Sequence, residues 1–331
     1  EMDGHTPESS SLYSMEFPTP ALPDDDGKGT VLIHALEGFA DAGHAVGLAA
    51  QHIRDSLDSE LVATFDSDEL IDYRSRRPTI GRKGAGFRLS VSGDSFTGVT
   101  MPSVRVHAVT DTSGRGFLLL SGSEPDLKWD RFVEAVAGLA ERFGVTDVVG
   151  LNAIPMAVPH TRPSTITAHG SDVSALGDLP RWGSSMKLPA SASMLLELRL
   201  AEKSYRASGL SVHVPHYLAQ SNYPAASARL LRAVATVTDL ELPVSALENA
   251  AEQMREQIDN EVSGNSEIES VVHALEEQYD SYAKAQESRA SLLAAEDELP
   301  SGDELGAEFE KFLAEQSNNG PDGDGGPQSA S

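Results

Sequence analysis

The chain has 331 residues, 40% of them apolar, and a formal net charge of −26; this is enough apolar material for one large domain or two smaller ones. It has no cysteine, which excludes a disulfide framework, thiolate metal sites and a thiol nucleophile. The acid is concentrated late, with 22 acids against 4 bases in residues 241–331 and 29 against 21 in residues 1–240, so the surface repels phosphate backbones and anionic lipid, and neither a nucleic-acid nor a membrane partner is expected.

Residues 1–28 are rich in Ser, Pro, Asp and Gly without a sustained period and are expected to form a flexible arm. That stretch has no signal-peptide core, and no run of about 18 apolar residues follows it, so a cytoplasmic location is expected. From Thr30 the pattern changes. "TVLIHAL" predicts a buried strand, and "GFADAGHAVGLAAQHIRDSL" a loop and then a helix. Further strands are predicted at 61–65, 87–93, 103–109, 115–122, 145–151, 164–170 and 209–215. Helices fall between them. "DLKWDRFVEAVAGLAERFG" places Phe132, Val133, Val136, Leu139 and Ala140 on one face, with Gly144 positioned to stop it. "SASMLLELRLAEKSYRASG" and "YPAASARLLRAVATV" read the same way. The alternation predicts an α/β fold over 29–240, a three-layer α/β/α domain on a parallel or mixed sheet.

Beyond residue 240 the strand pattern stops. Leu247, Ala251, Met254 and Ile258 recur at helical spacing, as do Ile268, Val272, Leu275 and Tyr279, with "SGNS" between the two sets. A helical hairpin over 241–295 follows. Residues 296–331 form an acidic, largely disordered tail in this reading, with one amphipathic piece, "DELGAEFEKFLAEQ", carrying Phe309, Phe312 and Leu313.

Ligands of α/β sheets meet the carboxyl ends of the strands, so the polar residues just after each strand are the site candidates. Four junctions qualify: Glu37, Asp41 and His44 after the first buried strand; Glu124 after "FLLLSG"; His160 and Arg162 after "VVGLN"; and His216, Tyr217 and Asn222 after "GLSVHV". If those strands are parallel, one crevice gathers carboxylates, histidines and an arginine. Each also has a structural reading: Asp41 as a helix cap, Glu124 in the first turn of its helix, the histidines bonded to loop carbonyls. Arg162 suits a carboxylate or phosphate.

A second candidate is the basic island "YRSRRPTIGRKGAGFR", 73–88, with Arg74, Arg76, Arg77, Arg82, Lys83 and Arg88 and no acid. It lacks the phosphate-loop pattern and precedes a strand, leaving an anion or acidic-peptide site, or pairing with the chain's own acids or a neighbouring subunit. His213 and His216 are three apart in an extended stretch, where their rings diverge, so no metal is expected. Neither a G-x-S-x-G serine nor a cofactor motif occurs, and no cofactor is expected.

Five segments in order, "LEGFADAGHA", "SDELIDYRSRRP", "SGSEPDLKW", "LNAIPMAVPHTRP" and "VHVPHYLAQSNYPAASARLL", resemble the bacterial, actinobacterial-type branch of the proteasome assembly chaperone 2 family over about residues 29–295. The resemblance implies a phosphorylase- or hydrolase-like α/β/α fold and self-association, since relatives form homo-oligomers. Eukaryotic members guide proteasome α-ring assembly, and some archaeal relatives dock through a C-terminal hydrophobic-tyrosine-any motif. Here Ala330 stands in the tyrosine position, so docking by that route is not expected. Two functions follow: an oligomeric, chaperone-like factor with an unidentified protein partner, or an enzyme or small-ligand binder using the crevice. The residues leave catalysis open.

Overall fold

The computed structural model describes residues 12–23, 27–77, 87–181, 185 and 187–295, with side chains through 285. In chain order the elements are β1 (Tyr13–Met15), β2 (Thr30–Glu37), α1 (Ala45–Ser56), β3 (Asp58–Phe65), α2 (Ser67–Leu70), β4 (Arg88–Ser92), β5 (Ser95–Thr100), β6 (Val104–Thr110), β7 (Gly116–Ser123) and α3 (Trp129–Arg142). They continue with β8 (Val145–Met156), β9 (Ile166–Gly170), α4 (Ala192–Glu202), β10 (Arg206–Pro215), α5 (Pro224–Thr238), α6 (Ser245–Val262) and α7 (Ser266–Ala295). The chain divides into two compact units, Glu1–Glu276 and Glu277–Ser331.

An eight-stranded mixed sheet runs in the order β1-β3-β6-β7-β2-β8-β10-β9. Its centre, β7-β2-β8-β10, is parallel throughout, and the flanking pairs are antiparallel. Successive side chains of a strand face opposite sides, and β2 divides accordingly. Val31, Ile33 and Ala35 join a core with α1 and α5, while Leu32 and Leu36 join a second core with α3 and α4. These are the three layers the alternation predicts. Phe117, Leu118, Leu119 and Leu120 of β7 are fully buried, each contributing about 1.5–3 kcal/mol of burial. Leu247 and Ile258 place α6 on the α1–α5 core, with Met254 against it.

The sheet is larger than the sequence pattern implies. Within the stretch expected to be flexible, Tyr13–Met15 pair antiparallel with Ala63–Phe65 and Leu12 is buried; three residues among Ser, Pro and Asp show no period, but an open sheet edge supplies their partners. β8 runs past Leu151 to Met156, because Ser211–Pro215 hydrogen-bond alongside Asn152–Met156. The piece "DELGAEFEKFLAEQ" and the rest of 296–331 lie outside the described residues, as do Arg82 and Lys83.

β4 and β5 form a separate two-stranded hairpin, an arm in which every residue is exposed except the half-buried Arg88. Its register pairs Leu89 with Val99 and Val91 with Phe96, shifting between Ser90 and Val91. Directly opposed residues share a face, so the shift brings Phe96 and Val99, three apart in sequence, to the same side. That side carries Leu89, Val91, Phe96 and Val99, exposed by 52, 64, 73 and 53%. Ser90 opposite Gly98 and Ser92 opposite Ser95 make the other side polar.

Candidate functional site

The chain leaves β2 toward β3 on one side of the sheet and leaves β8 toward β10 on the other, so the gap between their carboxyl ends is a topological switch point, where open α/β sheets hold ligands. A cleft of about 350 Å³ lies there, with Glu37, Asp41, His44, Arg76, Ser123 and Gln220 among its polar lining and Phe39 exposed at it. Its floor is fixed by backbone. The Ala153 N–H donates to Ala40 O at 2.7 Å, Gly43 N–H to Ala219 O at 2.8 Å, and Tyr223 N–H to Gly43 O at 2.8 Å. The loops after β2 and β10 are thereby clamped together. Gly43 permits this, since it has a positive φ and a Cβ there would stand 2.8 Å from Tyr223 Cβ.

Asp41 Oδ1 accepts the Val46 N–H at 2.7 Å in the first turn of α1, the capping role its position predicts. Its carboxyl nevertheless titrates far above the usual range, at about 7. Removal from water is the main cause; the Val46 hydrogen bond opposes it and the neighbouring Glu37 carboxylate adds to it. Glu37 lies over Gly47, where a Cβ would come within 2.9 Å of its carboxyl carbon.

Glu124 does not reach the cleft as a free group. It is buried, with Oε2 accepting the Phe39 N–H at 2.8 Å and Oε1 the Ala192 N–H at 2.7 Å. It serves the N-terminus of α4, not of the helix that follows it in sequence, and ties the β2 loop to that helix. Arg76 lines the cleft instead of Arg74 and Arg77, which are exposed and absent from the lining. Its guanidinium is held by Asp126 at 2.8–3.1 Å and by the Glu124 carbonyl.

His160 and Arg162 lie in a different place. The Tyr217 hydroxyl accepts the His160 backbone N–H at 2.8 Å and meets His160 Nδ1 at 2.7 Å. With the hydroxyl proton on the Nδ1 side, Nε2 is left as the donor to Asp259 of α6, at 3.0 Å. Burial pushes the Tyr217 hydroxyl up to about 12. Thr161 Oγ1 donates to Glu276 of α7 at 2.5 Å and Arg162 Nη1 pairs with the same carboxylate at 3.3 Å; the Thr161 bond is the main cause holding Glu276 below the usual carboxylate range. These residues fasten α6, through Asp259, and the start of α7, through Glu276, to the loop that follows β8. His216 is exposed, its ring edge-on to Tyr217 at 5.4 Å, and Asn222 is exposed beside the buried Tyr223. The His213 ring turns to Thr165, 2.8 Å away. The crevice of four junctions therefore separates into a cleft at β2 and β8 and a latch at β8 and β10.

Two groups stand out that the junction rule misses. Arg76 sits inside the basic island without distinction of its own. His34 interrupts the apolar run of β2 and is fully buried, bonded to Ser193 at 3.1 Å and packed on Gly150, and burial lowers it to about 4. A lone histidine in an apolar strand was the available signal.

Residues 35–262 match the PAC2 family profile. The chain belongs to the PAC2 family. A Mycobacterium tuberculosis protein of unknown function is similar at 48% identity and a TM-score of 0.78, over 84% of this chain and 94% of its own. A Corynebacterium glutamicum protein of unknown function is similar at 44% and 0.77, over 83% and 99%. The fold extends to a second M. tuberculosis protein, a proteasome-assembly chaperone homologue, at 23% and 0.65 over 73% and 100%. Comparison with curated proteins gives no match. Among the described residues no helix is long and apolar enough to cross a membrane.

Proposed function

We propose that this PAC2 chain is a cytoplasmic, homo-oligomeric, chaperone-like factor that acts by protein–protein contact in the assembly of a larger complex, the proteasome being the first to test. One observation carries the reading: the β4–β5 arm presents Leu89, Val91, Phe96 and Val99 on one uncovered side. A two-stranded hairpin is marginal on its own in water, and an apolar side of this kind is stabilised when another protein covers it. Family membership and the shared fold of a proteasome-assembly chaperone homologue support the same reading. So does the polar inventory, since Glu124, His160 and Arg162 are spent on internal bonds. The test is reconstitution of rings from separately purified M. tuberculosis proteasome α and β subunits, followed on native gels. The wild-type chain should bind a subunit or partial ring and speed assembly, and Leu89→Ser/Phe96→Ser should abolish both. Unchanged assembly with no complex to either subunit would refute the proteasome reading.

The cleft favours a second reading, an enzyme or small-ligand binder. Its observation is a carboxyl at about 7, suited to acid–base work near neutrality, at the switch point of the sheet. Thermal-shift screening with nucleosides, nucleotides and phosphate decides it; no stabilisation at saturating concentrations would remove it.

A further inference from the structure

The α1 side of the sheet carries a second polar group of residues, next to the cleft. Arg105 of β6 lies directly opposite Ser121 of β7, so their side chains share a face. Phe117 and Leu119 of β7 pack in the core with α1, which makes that face the α1 side. From α1, Arg54 reaches the same serine: its Nη1 donates to Ser121 Oγ at 2.7 Å and its Nη2 to Gln51 Oε1 at 2.6 Å. Two guanidinium groups therefore converge on the buried Ser121. His107, two residues along β6 on the same face, stands beside them.

Acids outnumber bases by 51 to 25 in this chain, and arginines such as Arg76, Arg206 and Arg232 each pair with one. Arg54 and Arg105 do not. Arg54 spends its bonds on neutral oxygens, and the exposed Arg105 side chain has no hydrogen bond or ion pair among the described residues. The like charges also oppose each other. Burial comes first in lowering Arg54; Glu37 and Asp55 offset part of it, and Arg105 adds to it. Asp55 is itself bonded to Gln51. His107 is lowered to about 4 by burial first and then by Arg54 and Arg105. Two cations held together against their own repulsion, with N–H donors to spare, suit an oxyanion.

We propose that Arg54, Arg105 and Ser121 form a subsite for the phosphate group of a hydroxyl-bearing phosphate monoester, whose body extends into the cleft past Ser123 and Glu37. The strands set the path. Ser123 follows Ser121 on the same face, about 7 Å further along the strand, and pairs in register with Glu37; both line the cleft. The cleft's arginine, Arg76, is committed to Asp126, so an anionic group gains more between Arg54 and Arg105. Glu37 accepts hydrogen bonds from hydroxyl groups and repels a second anion, which favours a hydroxylated monophosphate over a di- or triphosphate. A tetrahedral phosphate offers oxygens to two separate guanidinium groups, where a planar carboxylate is served by one. This inference deepens the ligand reading of the cleft and rests on it.

The test is calorimetric titration of the full chain with inorganic phosphate and with glycerol 3-phosphate at fixed ionic strength. Both should bind, the ester more tightly. Arg105→Gln, which removes a side chain without bonds in the fold, should weaken both about tenfold or more. Arg54→Lys, which keeps the charge and loses the fork, should weaken them too with unchanged circular dichroism. Arg142→Gln, an exposed position on α3 across the sheet, should leave both unaltered. By NMR, phosphate should raise the pH at which the His107 ring titrates, because the anion offsets the cations beside it. No phosphate binding, or equal losses in Arg105→Gln and Arg142→Gln, would overturn the subsite, even where uncharged nucleosides stabilise the chain and keep the cleft as a ligand site. Phosphate bound in the expected pattern with no gain from the ester would overturn the link to the cleft and leave the subsite standing.

Discussion

Asp41→Asn tests the electrostatics of the cleft most directly. In the folded chain the Asp41 carboxyl titrates at about 7, against 3.8 for the ordinary group. Between those values the folded state holds a proton that the unfolded chain has released. Stability therefore falls as pH rises through the window from about 4 to about 7, and the loss is complete above it. The full displacement corresponds to about 4 kcal/mol; water entering the open cleft reduces this, so about 2–4 kcal/mol is expected. An amide removes the charge yet keeps an oxygen to accept the Val46 N–H. At pH 8 the variant should be more stable than wild type by that amount, raising the melting temperature by about 4–12 °C for a domain of this size. At pH 4 the two should nearly coincide. His34 and His107, both lowered to about 4 by burial, act in the opposite sense: their unfolded forms bind protons below pH 6.5, so they add stability as pH rises from about 4 to 6.5. The readout must therefore be the difference between variant and wild type in urea titrations at each pH. A difference that is flat from pH 4 to 8, or a variant destabilised at pH 8, would refute the assignment of the raised carboxyl to Asp41.

Glu124→Gln keeps one carbonyl-type acceptor for two N–H donors, the part-buried Phe39 and the buried Ala192, and should cost about 1–3 kcal/mol by denaturant unfolding. Gly38→Ala should cost about 2 kcal/mol or more, because the new Cβ would stand 2.2 Å from Glu124 Oε2 and 2.7 Å from its Cβ. Tyr217→Phe strips His160 of the hydroxyl that serves both its N–H and Nδ1 and should cost about 1–3 kcal/mol. Hydrogen exchange should then quicken in α6, where Asp259 holds the same ring, before it quickens in the sheet.

The sequence carried the architecture because its signals are local. Four apolar runs, three of them leading into helices of ordinary length, place four parallel strands, and the polar residues after them are where the cleft and latch lie. What it did not carry are partners far along the chain. Glu124 finds its second donor 68 residues away, and His160 finds Asp259 across 99; no spacing rule separates a carboxylate committed to a distant helix end from one left at a cleft. The arm was half visible. "FRLSVSG" has strand alternation, but "SFTGVT" contains Gly98 and two Thr and shows its apolar pair only once the register shift brings Phe96 and Val99 to one side.

The separation of cleft from latch bears on why a family of this fold can serve as a binding factor. A phosphorylase-like crevice would need its acids, its cation and its histidines aimed at one volume. Here the histidine and arginine nearest the β8 end are turned to Asp259 and Glu276, and the cleft keeps a paired arginine, two acids and His44. The same junctions that would have built a catalytic constellation thus anchor α6 through Asp259 and the start of α7 through Glu276. If Asp41→Asn raises stability at pH 8 without changing assembly, the unfavourable carboxyl is kept for something the arm does not supply, and the ligand reading of the cleft gains its own support.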